Sequence, residues 1–258
     1  MKLFKLTFSI LFLLQLSCTE NDNIEYKELL NDPELFQEAM QNLTNIIVND
    51  IFSPPVASRV YLYPSIAAYE IISSQNPQKF TSLVGQIKEL KEIPKTNNPY
   101  VDAKLASIYA FNSVAKKLIF SENKMISFQK KFQLKIKNLG VPEKVMLASE
   151  TYANKVVEEI LDWSKKDMYS QTRTFPKYTI MEEDQYWKPT PPDYMDGIEP
   201  HWQEIRTMVL DSSNQFPPKE PLALDLKKGS PFQKQLMDIF ELTNTLTEEQ
   251  VDIAKFWD

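Results

Sequence analysis

Ser53-Pro54-Pro55-Val56-Ala57-Ser58-Arg59-Val60-Tyr61-Leu62-Tyr63-Pro64-Ser65-Ile66-Ala67-Ala68-Tyr69-Glu70-Ile71 decides how the rest of the chain is read. Ser53 followed by Pro54 is a helix-start signal: a serine oxygen accepts from the first free N–H groups, and proline at the first helical position loses nothing by lacking one. Val56, Val60, Tyr63, Ala67 and Ile71 then recur at helical spacing and share one face. Pro64 lies inside that pattern. It removes one backbone hydrogen bond and crowds the preceding turn, so a kink or a split is expected there.

The same grammar extends outward in both directions. Asp32-Pro33-Glu34 sets an N-cap, a first-turn proline and an acid ahead of Leu35, Phe36, Met40, Leu43, Ile46 and Ile47, and the spacing predicts a helix to about residue 49. Downstream, helical patterns cover 80–90, 100–120 and 122–139, with Gly140 placed as the residue after the C-cap. Another runs over 142–166, with Leu147, Val156, Ile160 and Trp163 among its apolar positions. No long stretch alternates in the manner of a strand. The fold class is therefore all-α, a bundle of stacked helical hairpins.

Periodicity stops over 167–200, where prolines and aromatics dominate, as in Tyr186-Trp187-Lys188-Pro189-Thr190-Pro191-Pro192-Asp193-Tyr194. Trp187, Tyr194 and Trp202 are too apolar for a free linker, so this long loop is expected to cross and pack on the helices. Helical signal returns over 202–210 and 230–242. Thr247 and Gln250 then form a capping-box pair ahead of Val251, Ala254 and Phe256. No glycine cap follows, and Asp258 is an acid where a helix end disfavours one. The chain reads as truncated at its C-terminus.

Composition narrows the chemistry. The 258 residues carry 29 Lys+Arg against 35 Asp+Glu, a formal net charge of −6, which argues against a nucleic-acid partner. The four glycines, Gly85, Gly140, Gly197 and Gly229, stand apart, so no dinucleotide fingerprint, Walker loop or nucleophile elbow can be written. His201 is the single histidine and Cys18 the single cysteine, which excludes multi-histidine zinc sites and internal disulfides.

Lys2 and Lys5, an apolar run over 6–16 and Ser17-Cys18 form a charged n-region, an h-region too short to span a bilayer, and a small residue before the cut. The pattern resembles a bacterial lipoprotein signal with Cys18 as the site of lipid attachment; an ordinary secretory signal or a plain anchor is the alternative. The organisation expected is a signal peptide over 1–17, a polar tether over 18–31 and a helical domain over 32–258. The protein would then sit in the bacterial cell envelope, lipid-anchored, on the periplasmic or surface face of the outer membrane.

Few residues suggest catalysis. His201, with Glu199 and Glu204 nearby, has the elements of a general base, but a histidine between Pro200 and Trp202 suits packing better. Glu182-Glu183-Asp184 offers oxygen ligands that do not converge, so a solvated acidic patch is the plainer reading and no metal site is assigned. Tyr186, Trp187, Tyr194 and Trp202 suit either a ligand platform or loop anchoring. Arg59 and Glu70, eleven positions apart, form either a buried ion pair on one helical face or two solvated charges.

Two stretches carry a family signal: Ile47 through Pro64 with Ala67-Ala68-Tyr69-Glu70, and Tyr186-Trp187-Lys188-Pro189 through Gly197-Ile198-Glu199-Pro200-His201-Trp202. Together they resemble the N-terminal helical half of bacterial lipoproteins related to vanadium-dependent haloperoxidases and type 2 phosphatidic acid phosphatases. The resemblance implies an oxyanion, vanadate or phosphate, held by a lysine, two arginines, a Ser-Gly-His element and a second histidine in a complete homologue. This chain has no Ser-Gly-His, only one histidine, and arginines only at Arg59, Arg173 and Arg206. Lys188-Pro189 is followed by Met195 where the motif needs an arginine. No catalytic or cofactor-binding residue is therefore assigned, and His201, Trp202 and Trp187 are only weak functional candidates. The expected partners are the membrane and either the missing catalytic half or a second copy of the chain. The rival reading is a complete helical lipoprotein that binds a protein or glycan through the aromatic loop 186–202.

Overall fold

The computed structural model describes residues 25–257. The signal peptide over 1–17 and the lipid attachment at Cys18 lie outside the described residues. Among those described there are nine α-helices and no strand, and no helix is long and apolar enough to cross a membrane. Where the sequence reading has one helical domain over 32–258, the chain forms two compact units. One runs to Phe175 and takes in His201–Val209; the other comprises Pro176–Pro200 and Leu210–Asp258.

The first unit opens with α1 (Glu25–Leu29). Of the tether expected over 18–31, only 25–31 is described, and that part is docked, because Tyr26 and Leu30, four residues apart, are buried in the core. Polar neighbours set the composition of that stretch, but one apolar pair at helical spacing is enough to dock it. Asp32 Oδ1 accepts from the Glu34 N–H at 2.9 Å and starts α2 (Glu34–Asn49). Leu35, Ala39, Leu43, Ile46 and Ile47 form its buried face. Each fully buried leucine or isoleucine of this kind contributes about 2 kcal/mol relative to exposure.

Helix α3 (Pro54–Gln75) runs continuously through Pro64 and is not split. All five residues of its anticipated face, Val56, Val60, Tyr63, Ala67 and Ile71, are buried. Pro64, Ile66, Ala68 and Glu70 are buried as well, which makes α3 a central helix covered on several sides. It packs on α4 (Ala103–Lys116), whose N-terminus is capped by Asp102 accepting from the Lys104 and Leu105 N–H groups at 3.0 and 2.9 Å. Ten residues of α4 are buried, and its alanines let α3 and α6 approach closely. Helices α5 (Glu122–Asn138) and α6 (Glu143–Ser164) form the next hairpin. Gly140, at φ +80°, turns the chain between them in the left-handed conformation that glycine tolerates best. Val156, Ile160 and Trp163 of α6 are buried, whereas Leu147 is 64% exposed.

Two expected helices do not form. Over 80–90 the apolar spacing is real, and Leu90 is buried, but the segment is a loop with Gly85 and Glu89 at positive φ. A short sequence interrupted by glycine lacks the length to propagate a helix alone, and its apolar residues dock individually. Over 202–210 only the 3-10 turn Trp202–Glu204 is helical. Beyond it the backbone is claimed by other partners: Arg206 N–H donates to Asp167 O at 3.0 Å, and Lys88 N–H donates to Met208 O at 2.9 Å.

The first unit also holds the short α7 (Tyr169–Thr172). The second unit contains α8 (Pro231–Thr243), capped by Ser230 Oγ accepting from Gln233 N–H, and α9 (Glu248–Trp257). The Thr247–Gln250 capping box is present, with bonds of 2.9 and 3.3 Å in the two directions. Neither α8 nor α9 contains a buried residue.

Candidate functional site

The densest polar construction in the first unit centres on Asp167, which is fully buried just after α6. Arg59 of α3 donates from Nε to Asp167 Oδ2 at 2.6 Å and from Nη2 to Ser164 O at 3.2 Å. Tyr63, one turn further along the same helix, donates its hydroxyl to the same Oδ2 at 2.8 Å. Tyr169 N–H closes the set on Oδ1 at 3.0 Å. The carboxylate thus has cationic, phenolic and backbone donors, the condition under which a buried charge is tolerated.

Arg206 enters from the segment after the 3-10 turn. Its Nη2 donates to Tyr63 Oη and Trp163 O, both at 3.2 Å, and its Nη1 pairs with Glu89 at 2.9 Å. Its guanidinium lies over the Trp163 ring, 4.5 Å from the centroid, and that of Arg59 lies 4.4 Å over Tyr169. Such stacking suits the weakly hydrated guanidinium face. Burial, followed by the Asp167 charge, pushes the Tyr63 phenol well above its ordinary range, so it stays a neutral donor. Met168 and Glu89, at φ 74° and 59°, are left-handed non-glycine residues at the edges of this network. Strain of that kind persists only where surrounding contacts over-determine the backbone.

The ion pair weighed between Arg59 and Glu70 does not exist. Arg59 has Asp167 as its partner, and Glu70, 2% exposed, accepts from Ser82 Oγ and Leu83 N–H, both at 2.7 Å. Glu70 therefore fastens the loop that sequence periodicity assigned to a helix. Asp167, Tyr63 and Arg206 carry no sequence motif and were not anticipated as a set.

The weak candidates fall in different places. His201 and Trp202 belong to the first unit, Trp187 to the second. His201 meets Phe175 edge-on at 5.2 Å, and Trp202 packs partly buried against the core. Tyr186, Trp187 and Tyr194 are 44%, 49% and 62% exposed, so the burial anticipated for this aromatic loop is confined to Trp202. Trp187 meets Tyr178 edge-on at 5.6 Å beside a hollow of about 560 Å³ that also takes in Pro191, Pro192 and Ile198. Gly197 lies against both rings, where an added Cβ would stand 3.4 Å from Tyr178. In the acidic run, Asp184 pairs with Lys188 at 3.2 Å, and no cluster of three metal-ligating side chains occurs among the described residues.

No family model and no curated protein matches this sequence. Among solved structures, the chain is similar to one described as the crystal structure of the first bacterial vanadium-dependent iodoperoxidase, with a TM-score of 0.81 and 41% identity. The match covers 88% of this chain but 55% of that one, so the chain spans about half the length of its relative. With a TM-score of 0.81 and four residues in ten shared over 88% of its length, the chain is a vanadium-haloperoxidase-related protein.

Proposed function

We propose that this chain is the N-terminal, non-catalytic helical region of a vanadium-haloperoxidase-like lipoprotein and that, as given, it neither oxidises halide nor hydrolyses phosphate esters. The observation that carries the reading is the match to about half of the iodoperoxidase at 41% identity. The residues described here do not fit the vanadate that the relative's name implies. A multiply charged oxyanion needs several fixed cations with free donors facing one point, whereas Arg59 is held by Asp167 and Arg206 by Glu89. Arg173 lies over Tyr169, 4.6 Å from the ring centroid. The sequence also holds one histidine where the chemistry asks for two.

In this reading Cys18 is lipidated and holds the protein on the bacterial envelope, and the exposed apolar faces of α8 and α9 receive the catalytic half of a longer chain. The test is an assay of the purified 258-residue chain with peroxide, halide and vanadate, and with a phosphate monoester. No turnover is expected. Turnover that disappears in His201→Ala would overturn the reading and make His201 the catalyst.

A further inference from the structure

The hollow of about 560 Å³ in the second unit has the size of a small-molecule site, and two aromatic rings form a corner of its lining. Tyr178 and Trp187 stand at 72° to one another with centroids 5.6 Å apart. They are 38% and 49% exposed, so ring surface can be reached from solvent. Gly197 leaves that corner unfilled. Gly85, Gly140 and Gly229 sit at positive φ, where glycine serves the backbone, but Gly197 does not. It alone of the four would bring a Cβ against side chains, 3.4 Å from Tyr178 Cβ and 3.6 Å from Trp187 Cζ3. Any side chain at 197 would therefore take up space beside both rings.

Charge narrows the ligand to a cation. No lining residue is basic, and Asp193 and Asp196 are both carboxylates. Lys177 offsets Asp196 across 2.7 Å, whereas Asp193 has no ion-pair partner among the described residues. An anion is thus disfavoured. A metal ion is poorly served too, because it needs several converging oxygens and no group of three metal-ligating side chains occurs among the described residues. A sugar needs donors as well as acceptors. The lining side chains offer only the Thr190 and Tyr178 hydroxyls, and the second already donates to Trp187 O at 3.4 Å. A quaternary ammonium asks for neither: it has no N–H to satisfy, and its charge is drawn to aromatic faces within about 6 Å of the ring centroid.

We propose that this hollow binds a trimethylammonium group, with Tyr178 and Trp187 as its aromatic walls and Asp193 as its counter-charge. The experiment is a saturation-transfer NMR and calorimetric titration of the 258-residue chain at low salt with choline and tetramethylammonium. The comparators are 3,3-dimethylbutan-1-ol, which is the uncharged isostere of choline, D-galactose and magnesium chloride. Both ammonium probes should bind roughly tenfold more tightly than the isostere, since only they gain the cation–aromatic and carboxylate attraction. Trp187→Ala should weaken choline binding by a similar factor, and Asp193→Asn should weaken it severalfold while leaving the isostere unaffected. Gly197→Ala should also weaken it, and its Cβ stands at ordinary contact distance, so this variant decides the matter if Trp187→Ala fails to fold. Phosphatidylcholine vesicles that displace choline where phosphatidylglycerol vesicles do not would place the group on a lipid headgroup; displacement by neither assigns a soluble ligand. The proposal is overturned if neither ammonium probe binds, if the isostere or galactose binds as tightly, if magnesium competes as well as tetramethylammonium does, or if the three variants leave binding unchanged.

Discussion

Arg59 and Asp167 stand 108 positions apart in sequence, yet their side chains meet at 2.6 Å with 10% and 1% of their surfaces exposed. The pair joins α3 to the chain just beyond α6, and Tyr63 and Tyr169 add donors to the same carboxylate. Removing one partner of a buried pair leaves the other charge uncompensated, which costs far more than the pair's net contribution. Asp167→Ala should therefore destabilise the protein by about 3–5 kcal/mol. Arg59→Ala with Asp167→Ala should cost less than the two single changes added, because the double variant strands no arginine. Urea denaturation of the four proteins measures both quantities. A loss below about 1 kcal/mol for Asp167→Ala, the range of an exposed pair, would contradict the buried geometry.

Glu70 makes a second long reach, from α3 to Ser82 and Leu83. Hydrogen bonds to a carboxylate contribute about 1.5–3 kcal/mol, and here they fasten the start of a loop whose later part is held by Lys88 N–H donating to Met208 O and by the Glu89–Arg206 pair. Glu70→Ala should lower stability by an amount in that range and should speed amide exchange over 82–90 more than in α4. Uniform exchange across the first unit would show that the loop's other contacts, among them Lys88 N–H to Met208 O, hold it without Glu70.

Asp50 ties the end of α2 to the junction between α4 and α5, accepting from the Phe120 and Ser121 N–H groups at 2.9 Å and from the Ser121 hydroxyl. Partial burial pushes its carboxyl upward, but the Ser121, Asn49 and Phe120 hydrogen bonds outweigh it and hold the group below the ordinary aspartate value of 3.8. A carboxylate with a depressed folded pKa stabilises the native state above the unfolded value, and that contribution is lost as pH falls through the folded one. Acid unfolding should accordingly steepen below pH 3.8. Asp50→Asn should lower stability at pH 7 and flatten that acid limb. Parallel pH profiles for the two proteins would refute the assignment.

Much of the first unit was legible because its signals are local. The face from Val56 to Ile71 and the turn at Gly140 each depend on residues within one or two helical turns, and both appear as read. The 80–90 segment misled because Leu83, Val84, Ile87 and Leu90 have helical spacing while Gly85 supplies a left-handed turn. Arg59 misled for another reason: a helical wheel ranks only partners on its own helix, and Asp167 is brought to it by the path of α4, α5 and α6. Asn112, buried in α4, left no signal, since it shares its helix with Lys104, Ser107, Ser113 and Lys116 and looks like any solvent-facing position until its burial is known.

The last expectation concerns α8 and α9. Leu236, Ile239, Phe240 and Leu242 are 46–59% exposed, and Phe256 and Trp257 are 79% and 80% exposed, with the last two rings in edge contact at 5.1 Å. Apolar surface of this extent on one unit marks an interface or an aggregation site, because hydration of such area is unfavourable wherever another apolar surface can cover it. The purified chain should bind a hydrophobic dye strongly or self-associate, and light scattering with dye fluorescence reads both. Phe240→Glu with Phe256→Glu should suppress these effects without unfolding the first unit, whose core includes neither residue. Extending the chain beyond Asp258 with the catalytic half should suppress them as well, whereas suppression only at high protein concentration would make a second copy the occupant. A monodisperse, dye-silent monomer would mean that these helices cover their own apolar faces in solution, and the proposed seat for a catalytic half would be lost with it.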